Sequence, residues 1–338
     1  MGNSKDVQLT ATEIGIIWSL YQFKTMMVRV LEHLLEKSED KESRKILTKL
    51  YDGEVRIVNE LTTIFNNEQA AVPVGFTKKD VMKGVPRLFD HNFDLMYIRT
   101  MAKISIGYYA LYSTMSYRKD IRNLNNNLTK HAQKVYDEIT ELLLNRGVLV
   151  RPPHISMPKD SEFVKDQKYI SGFNFLQEKR PLNTIEIGHL CYAIETNTMG
   201  IQLMTGYAQA AKNKDVQNYF VKGKELAQKI VTEFNDILMR SDIQAPVTWT
   251  AKATDSTTPP FSDKLMMYNT NLLSTFGLGS NVIGGAFSFR PDLPIKLAML
   301  AQDIFTFAKE GGKIMIENNW MEEPPHAEDR NKLTNKNQ

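Results

Sequence analysis

Leu9-Thr10-Ala11-Thr12-Glu13-Ile14-Gly15 and Leu182-Asn183-Thr184-Ile185-Glu186-Ile187-Gly188 are one segment written twice, 173 residues apart. In each, a side chain able to accept a hydrogen bond (Thr10, Asn183) stands three residues before a glutamate, and an apolar pair (Leu9 with Ile14, Leu182 with Ile187) brackets them. That is a capping box inside a hydrophobic staple, the signature of a helix N-terminus. Outward from it the correspondence continues without a gap: Thr25-Met26 meets Thr198-Met199, Ile57-Val58 meets Ile230-Val231, and Pro73-Val74 meets Pro246-Val247. At an offset of 172, Phe89 meets Phe261, Gly107 meets Gly279, Ser116-Tyr117-Arg118 meets Ser288-Phe289-Arg290, and Pro152-Pro153-His154 meets Pro324-Pro325-His326. Matches kept in order along the whole length mean a duplicated domain.

Each copy carries four periodic stretches. In the first, Ile14, Ile17, Tyr21, Val28, Leu31 and Leu35 recur at spacings of 3, 4 and 7, and Ile187, Leu190, Ile194, Ile201, Met204 and Ala208 repeat the pattern. Leu47, Leu50, Ile57, Leu61 and Ile64 mark the second stretch, and Ile121, Leu124, Leu128, Ala132, Val135, Ile139 and Leu142 the fourth. One apolar stripe on each of four helices predicts a four-helix bundle. The expected architecture is therefore all-α, with one bundle over 9–155, a linker over 156–181 that packs on a bundle through Phe163, Tyr169, Phe173 and Phe175, a second bundle over 182–327 and a disordered tail over 328–338.

Composition bounds the function. Lys plus Arg number 42 against 39 Asp plus Glu, a formal charge of +3 over 338 residues, without the basic footprint of nucleic-acid binding. A single cysteine, Cys191, cannot form an internal disulfide, which suits a reducing, cytoplasmic setting. Leu265 to Phe289 lacks charge, yet Asn269, Thr270, Asn271, Ser274, Thr275, Ser280 and Asn281 make it a bundle helix and not a membrane span.

Arg180-Pro-Leu-Asn-Thr-Ile-Glu-Ile, Pro259-Pro-Phe-Ser-Asp-Lys-Leu-Met-Met and Asn319-Trp-Met-Glu-Glu-Pro-Pro-His, within the tandem layout, resemble a domain-of-unknown-function family of Bacillus-group bacteria distantly related to CotF-type spore coat proteins. The resemblance implies paired four-helix units of ferritin-like fold, with no settled activity.

Candidate sites follow from seam residues that break the pattern. Lys24 interrupts the first seam and Glu54 the second, each fifteen residues from a turn centred near Glu39, so an antiparallel hairpin sets them at one level. They either pair inside the bundle or lie at the stripe edge and reach water. The second copy has Asn197 and Ala227 there. Where the first copy has Tyr108, Tyr109, Leu111 and Tyr112, the second has Ser280, Asn281, Ile283 and Gly284, with Gly277 and Gly285 nearby. Small residues at helical spacing give either close helix packing or a hollow, the latter lined by Tyr268, Asn269, Asn281 and the glycine face. A ferritin-like di-metal centre needs Glu-x-x-His motifs. Glu186-Ile-Gly-His189 is the sole instance, its glutamate already explained by capping and its histidine replaced by Ile16 in the first copy.

These residues lead to a non-enzymatic structural or interaction protein, cytoplasmic or spore-associated, with no cofactor and with a protein partner or a second copy as its contact. The alternative is a diverged ferritin-like protein that binds iron, manganese or a small ligand in its second bundle.

Overall fold

A computed structural model describes residues 7–170, 179–244 and 252–334. Among them are eight long helices: α1 (Ala11–Lys37), α2 (Lys41–Asn67), α3 (His91–Thr114), α4 (Lys119–Asn145), α5 (Thr184–Ala210), α6 (Lys214–Met239), α7 (Asp263–Ala286) and α8 (Asp292–Glu317). They form two repeated four-helix units, each made of two tight antiparallel pairs. The repeated start segment works as its sequence requires: Thr10 accepts from the Glu13 amide, Asn183 from the Glu186 amide, and both glutamates return a bond to the cap backbone.

The single-stripe expectation fails for α1. A second line, Ile16, Leu20, Phe23, Met27, Val30 and Leu34, is fully buried beside the expected one. The cause is the other unit. α1 and α3 face α5 and α7, so each of these four helices packs its own bundle with one side and the opposite bundle with the other, and one apolar core runs from the first unit into the second.

The junction has near two-fold symmetry. Val81 bridges Phe261 and Phe89 bridges Ala253, both antiparallel, and an offset of 172 turns either bridge into the other. The backbone hydrogen bonds obey the same operation: Met82 N to Pro260 O (2.8 Å) matches Thr254 N to Leu88 O (2.9 Å), and Ser262 N to Asp80 O matches Asp90 N to Lys252 O, both 3.1 Å. Phe261 meets the His33 ring edge-on at 5.3 Å, and its counterpart Phe89 sits on Gly206, where a Cβ would come within 2.4 Å of the ring. Glycine is the one residue that fits there.

Phe163 is 89% exposed and covers nothing, whereas Tyr169 stacks on the Arg180 guanidinium at 4.0 Å; Phe173 and Phe175 lie outside the described residues. Glu322 accepts hydrogen bonds from the Val74 and Gly75 amides at 2.8 and 2.7 Å, and Arg330–Thr334 forms a short exposed helix, α9, where a disordered tail was expected.

Candidate functional site

The two bundles can be compared level by level, and they differ most at mid-height. In the first, Lys24 of α1 and Glu54 of α2 form the ion pair. The ammonium lies 2.9 Å from both carboxylate oxygens and hydrogen-bonds one of them, with Lys24 2% and Glu54 4% exposed. Ser105 and Tyr109 of α3 and His131 of α4 complete this level, and the space left between them is about 20 Å³. The Tyr109 ring faces the ammonium at 5.0 Å. Burial alone would lower the Lys24 pKa, but the Glu54 charge and the Tyr109 side chain outweigh it, so the ammonium is held above its usual value. Burial pushes the His131 imidazole down, keeping it neutral at pH 7.

At the equivalent level of the second bundle there is a cavity of about 80 Å³. Its walls are the counterparts of the first site's walls. Phe23, Lys24, Met27 and Glu54 become Thr196, Asn197, Gly200 and Ala227, while Met101, Ala102 and Ser105 become Leu273, Ser274 and Gly277. Some losses of volume are compensated: Leu50 becomes Gly223, but Val135 becomes Phe307, whose ring leans so close that a Cβ on Gly223 would lie 2.7 Å from it. At Gly277 nothing replaces the missing side chain within 4 Å, and at Gly200 the nearest atom is the Ala227 methyl at 4.0 Å. The apolar core records the same break. It is continuous through the first bundle, whereas in the second a separate cluster around Leu190, Ile194, Phe234, Leu297 and Leu300 is cut off from the upper core at the cavity.

The candidate residues therefore part company. Asn197 lines the cavity, its amide donating to Ala193 O at 2.9 Å. Tyr268, Asn269 and Asn281 do not line it: the first two turn to other partners, and Asn281, one turn beyond Gly277, folds back onto its own helix. Tyr268 turns to the first bundle, 5.0 Å from Phe76 and beside Tyr108, Tyr109 and Tyr112. Asn269, fully buried, donates to the Tyr207 hydroxyl at 2.8 Å, and its equivalent Tyr97 lies beside it at the pseudo-two-fold junction. Asn281 donates to Gly277 O at 2.8 Å. Small residues on α7 serve both expected purposes: at Gly284 a Cβ would already touch His189 at 3.5 Å, a close packing, while Gly277 opens the hollow.

Glu186 and His189 do not fit a metal centre. The Glu186 carboxylate is filled by five donors: the Asn183, Phe289 and Arg290 amides and both terminal nitrogens of Arg180. His189 stacks on Phe287 instead. Glu13 is used likewise, accepting from the amides of Thr10, Tyr117 and Arg118. One repeated glutamate thus caps the first helix of its unit and also ties that helix to the turn between the third and fourth. No group of three metal-binding side chains occurs among the described residues. Cys191 is buried, and burial together with Glu195 pushes its thiol up to about 11, leaving it unreactive.

One cluster escaped the sequence reading. At the seam between α3 and α5, Arg99 Nη1 and Lys103 Nζ both reach Glu195 Oε1, at 2.9 and 2.8 Å. Its signal was available: Arg99 and Lys103 are one helical turn apart, and the second copy has Asn271 and Thr275 in their places.

Eight helices in two like units joined through a common core define a tandem four-helix-bundle protein. Residues 1–160 and 170–333 each match the family described as protein of unknown function (DUF3231), and the chain belongs to that family as two tandem copies. Curated proteins give no match. Among solved structures, a protein from Bacillus halodurans described as a "putative spore coat protein" is 16% identical, with a TM-score of 0.41 over 44% of this chain and 98% of its own. No helix among the described residues is long and apolar enough to cross a membrane.

Proposed function

We propose a non-enzymatic binding role: the first bundle is a closed scaffold, and the second receives a small molecule in its mid-height cavity. The observation that carries this is the contrast between about 20 Å³ and about 80 Å³ at equivalent levels of the two bundles. The walls of the larger cavity bear no carboxylate, imidazole or thiol, so its occupant is organic and not iron or manganese. Buried polar groups elsewhere support a role without catalysis, since Glu13, Glu186, Arg118 and Arg290 are spent on closing the bundles. A cavity of this size, about half the ~150 Å³ that admits benzene, holds a xenon atom. Xenon NMR on the full chain tests the reading. Binding is expected in the wild type and absent in Gly277→Leu; no xenon binding in the wild type would sink it.

A second reading, a structural role through a protein partner or a second copy in a cytoplasmic or spore setting, is favoured by a different feature. Leu111, Met115 and Tyr117 at the end of the first bundle and their counterparts Ile283, Phe287 and Phe289 are all exposed. Sedimentation velocity across a hundredfold concentration range separates the two readings, because a chain that stays monomeric and binds xenon leaves this one without support.

A further inference from the structure

The seam cluster lies next to the hollow bundle. Lys103 Nζ donates to Glu195 Oε1 and, at 3.2 Å, to the hydroxyl of Thr196, and Thr196 is itself a wall of the cavity. One residue, Thr196, therefore touches both the ammonium and the cavity.

The charge there does not balance. Arg99 and Lys103 share a single carboxylate, leaving one positive charge in excess at a largely buried place: their side chains are 6% and 9% exposed, and that of Glu195 is 24% exposed. Each of the three Arg99 nitrogens donates one hydrogen bond, to Thr140, Glu195 and the Tyr136 hydroxyl. Lys103 donates two. Its third hydrogen has no acceptor among the described residues, and the ammonium rests 4.2 Å from the Tyr192 ring. Burial, aided by Arg99 and opposed by Glu195, holds its pKa below the usual lysine value, as expected of a cation short of compensation.

The corresponding seam on the other side of the pseudo-two-fold junction carries no such charge, since Gln22, Asn271 and Thr275 stand in place of Glu195, Arg99 and Lys103. The excess positive charge is carried by α3 of the first bundle and faces α5 of the bundle with the hollow interior.

We infer that the cavity takes a short-chain carboxylate, its alkyl tail between Gly200, Ala227 and Gly277 and its carboxylate at Lys103. The inference rests on the reading of the cavity as a ligand site and adds the chemistry of the ligand. The tail meets Leu273, Ile304 and Phe307, all apolar. Most hydroxyls on the walls already donate to their own helices: Thr196 to Tyr192 O, Thr270 to Met266 O, Ser274 to Thr270 O. They make no demand for a polar tail. The head forms a charge-assisted hydrogen bond with the free ammonium hydrogen and offsets the surplus charge.

Calorimetric titration of the full chain with butyrate and with butan-1-ol tests this. Butyrate is expected to bind about tenfold more tightly than butanol, as one charge-assisted hydrogen bond would give. Lys103→Gln should reduce butyrate to the level of butanol, Lys103→Arg should retain the preference, and Gly277→Leu should remove both ligands. Lys103→Gln leaves Arg99 to neutralise Glu195, and retained xenon binding shows that this variant is folded. Equal binding of the two ligands, or a preference that survives Lys103→Gln, overturns the carboxylate inference while the cavity reading stands. Neither ligand binding overturns both when xenon also fails, and the carboxylate inference alone when xenon binds.

Discussion

The first bundle fills its middle with charge and the second leaves its middle open, although both were built from the same four-helix plan. Lys24 and Glu54 cross the first interior, joined by Tyr109; Asn197 and Ala227 are too short to meet, and Asn281 turns back to its own helix. An open interior forfeits dispersion contacts and gains nothing for stability. A buried ion pair is little better, because desolvation consumes most of its Coulomb attraction. What the difference teaches is that stability did not choose either interior. The first bundle specifies which residues face each other, while the second keeps room.

The comparison breaks most easily at the ion pair. Glu54→Ala leaves the Lys24 ammonium buried without its partner and should cost about 3–5 kcal/mol in urea unfolding. The double variant Lys24→Asn with Glu54→Ala, which writes the second interior into the first, should cost less than Glu54→Ala alone. A loss below about 1 kcal/mol for Glu54→Ala would show that the pair reaches water.

Next in size is the repeated glutamate. Glu13→Gln weakens the hydrogen bonds that tie α1 to the turn before α4 and should cost about 1–3 kcal/mol. Burial works against the Glu13 charge, but the Arg118, Thr10 and Tyr117 amides and the Thr10 hydroxyl outweigh it and hold its pKa below the ordinary 4.5. A depressed folded value means that this stabilisation is present above pH 4.5 and lost as pH falls through the lower folded pKa. Acid titrations followed by circular dichroism should therefore show a shallower decline for Glu13→Gln than for the wild type. Glu186 sets the contrast, since Arg180 adds two charged donors to the same arrangement.

Gly277→Leu should raise stability by about 1 kcal/mol, read as a higher Tm, because it removes a helix glycine and fills space that nothing occupies. The smallest effect belongs to Glu322→Gln, about 0.5–1 kcal/mol for weakened bonds to the Val74 and Gly75 amides. Earlier proteolytic cleavage after Trp320 should report it.

Much of this was legible in the sequence because it depends on short spacings. The capping boxes are fixed by residues three apart, and the level of Lys24 and Glu54 by equal distances to one turn. The second stripe of α1 was harder. A helix that is apolar on two sides has no period pointing to either partner, so Leu20 and Val30 did not reveal that another bundle covers them. On α7 the fault was rotational for Tyr268 and Asn269, which share a helix with Gly277 but turn to the first bundle and the junction, whereas Asn281 lies one turn beyond Gly277 on its face and folds back onto its carbonyl. Gly200, the counterpart of Met27, could have been found by asking where a large apolar residue becomes small without a compensating gain across the bundle.

The paired loops at the junction carry a different lesson. When two identical chains meet across a two-fold axis, every substitution is made twice, and each position must suit both of its roles at once. Here the two halves share one chain, so Val81 and Ala253, or Tyr97 and Asn269, answer to one partner each. A change on one side is no longer copied to the other. Joining the halves also holds the junction together at the high local concentration of a tether, so a weakened contact on one side does not separate them. Freed from self-complementarity, one half could keep its interior closed while the other opened.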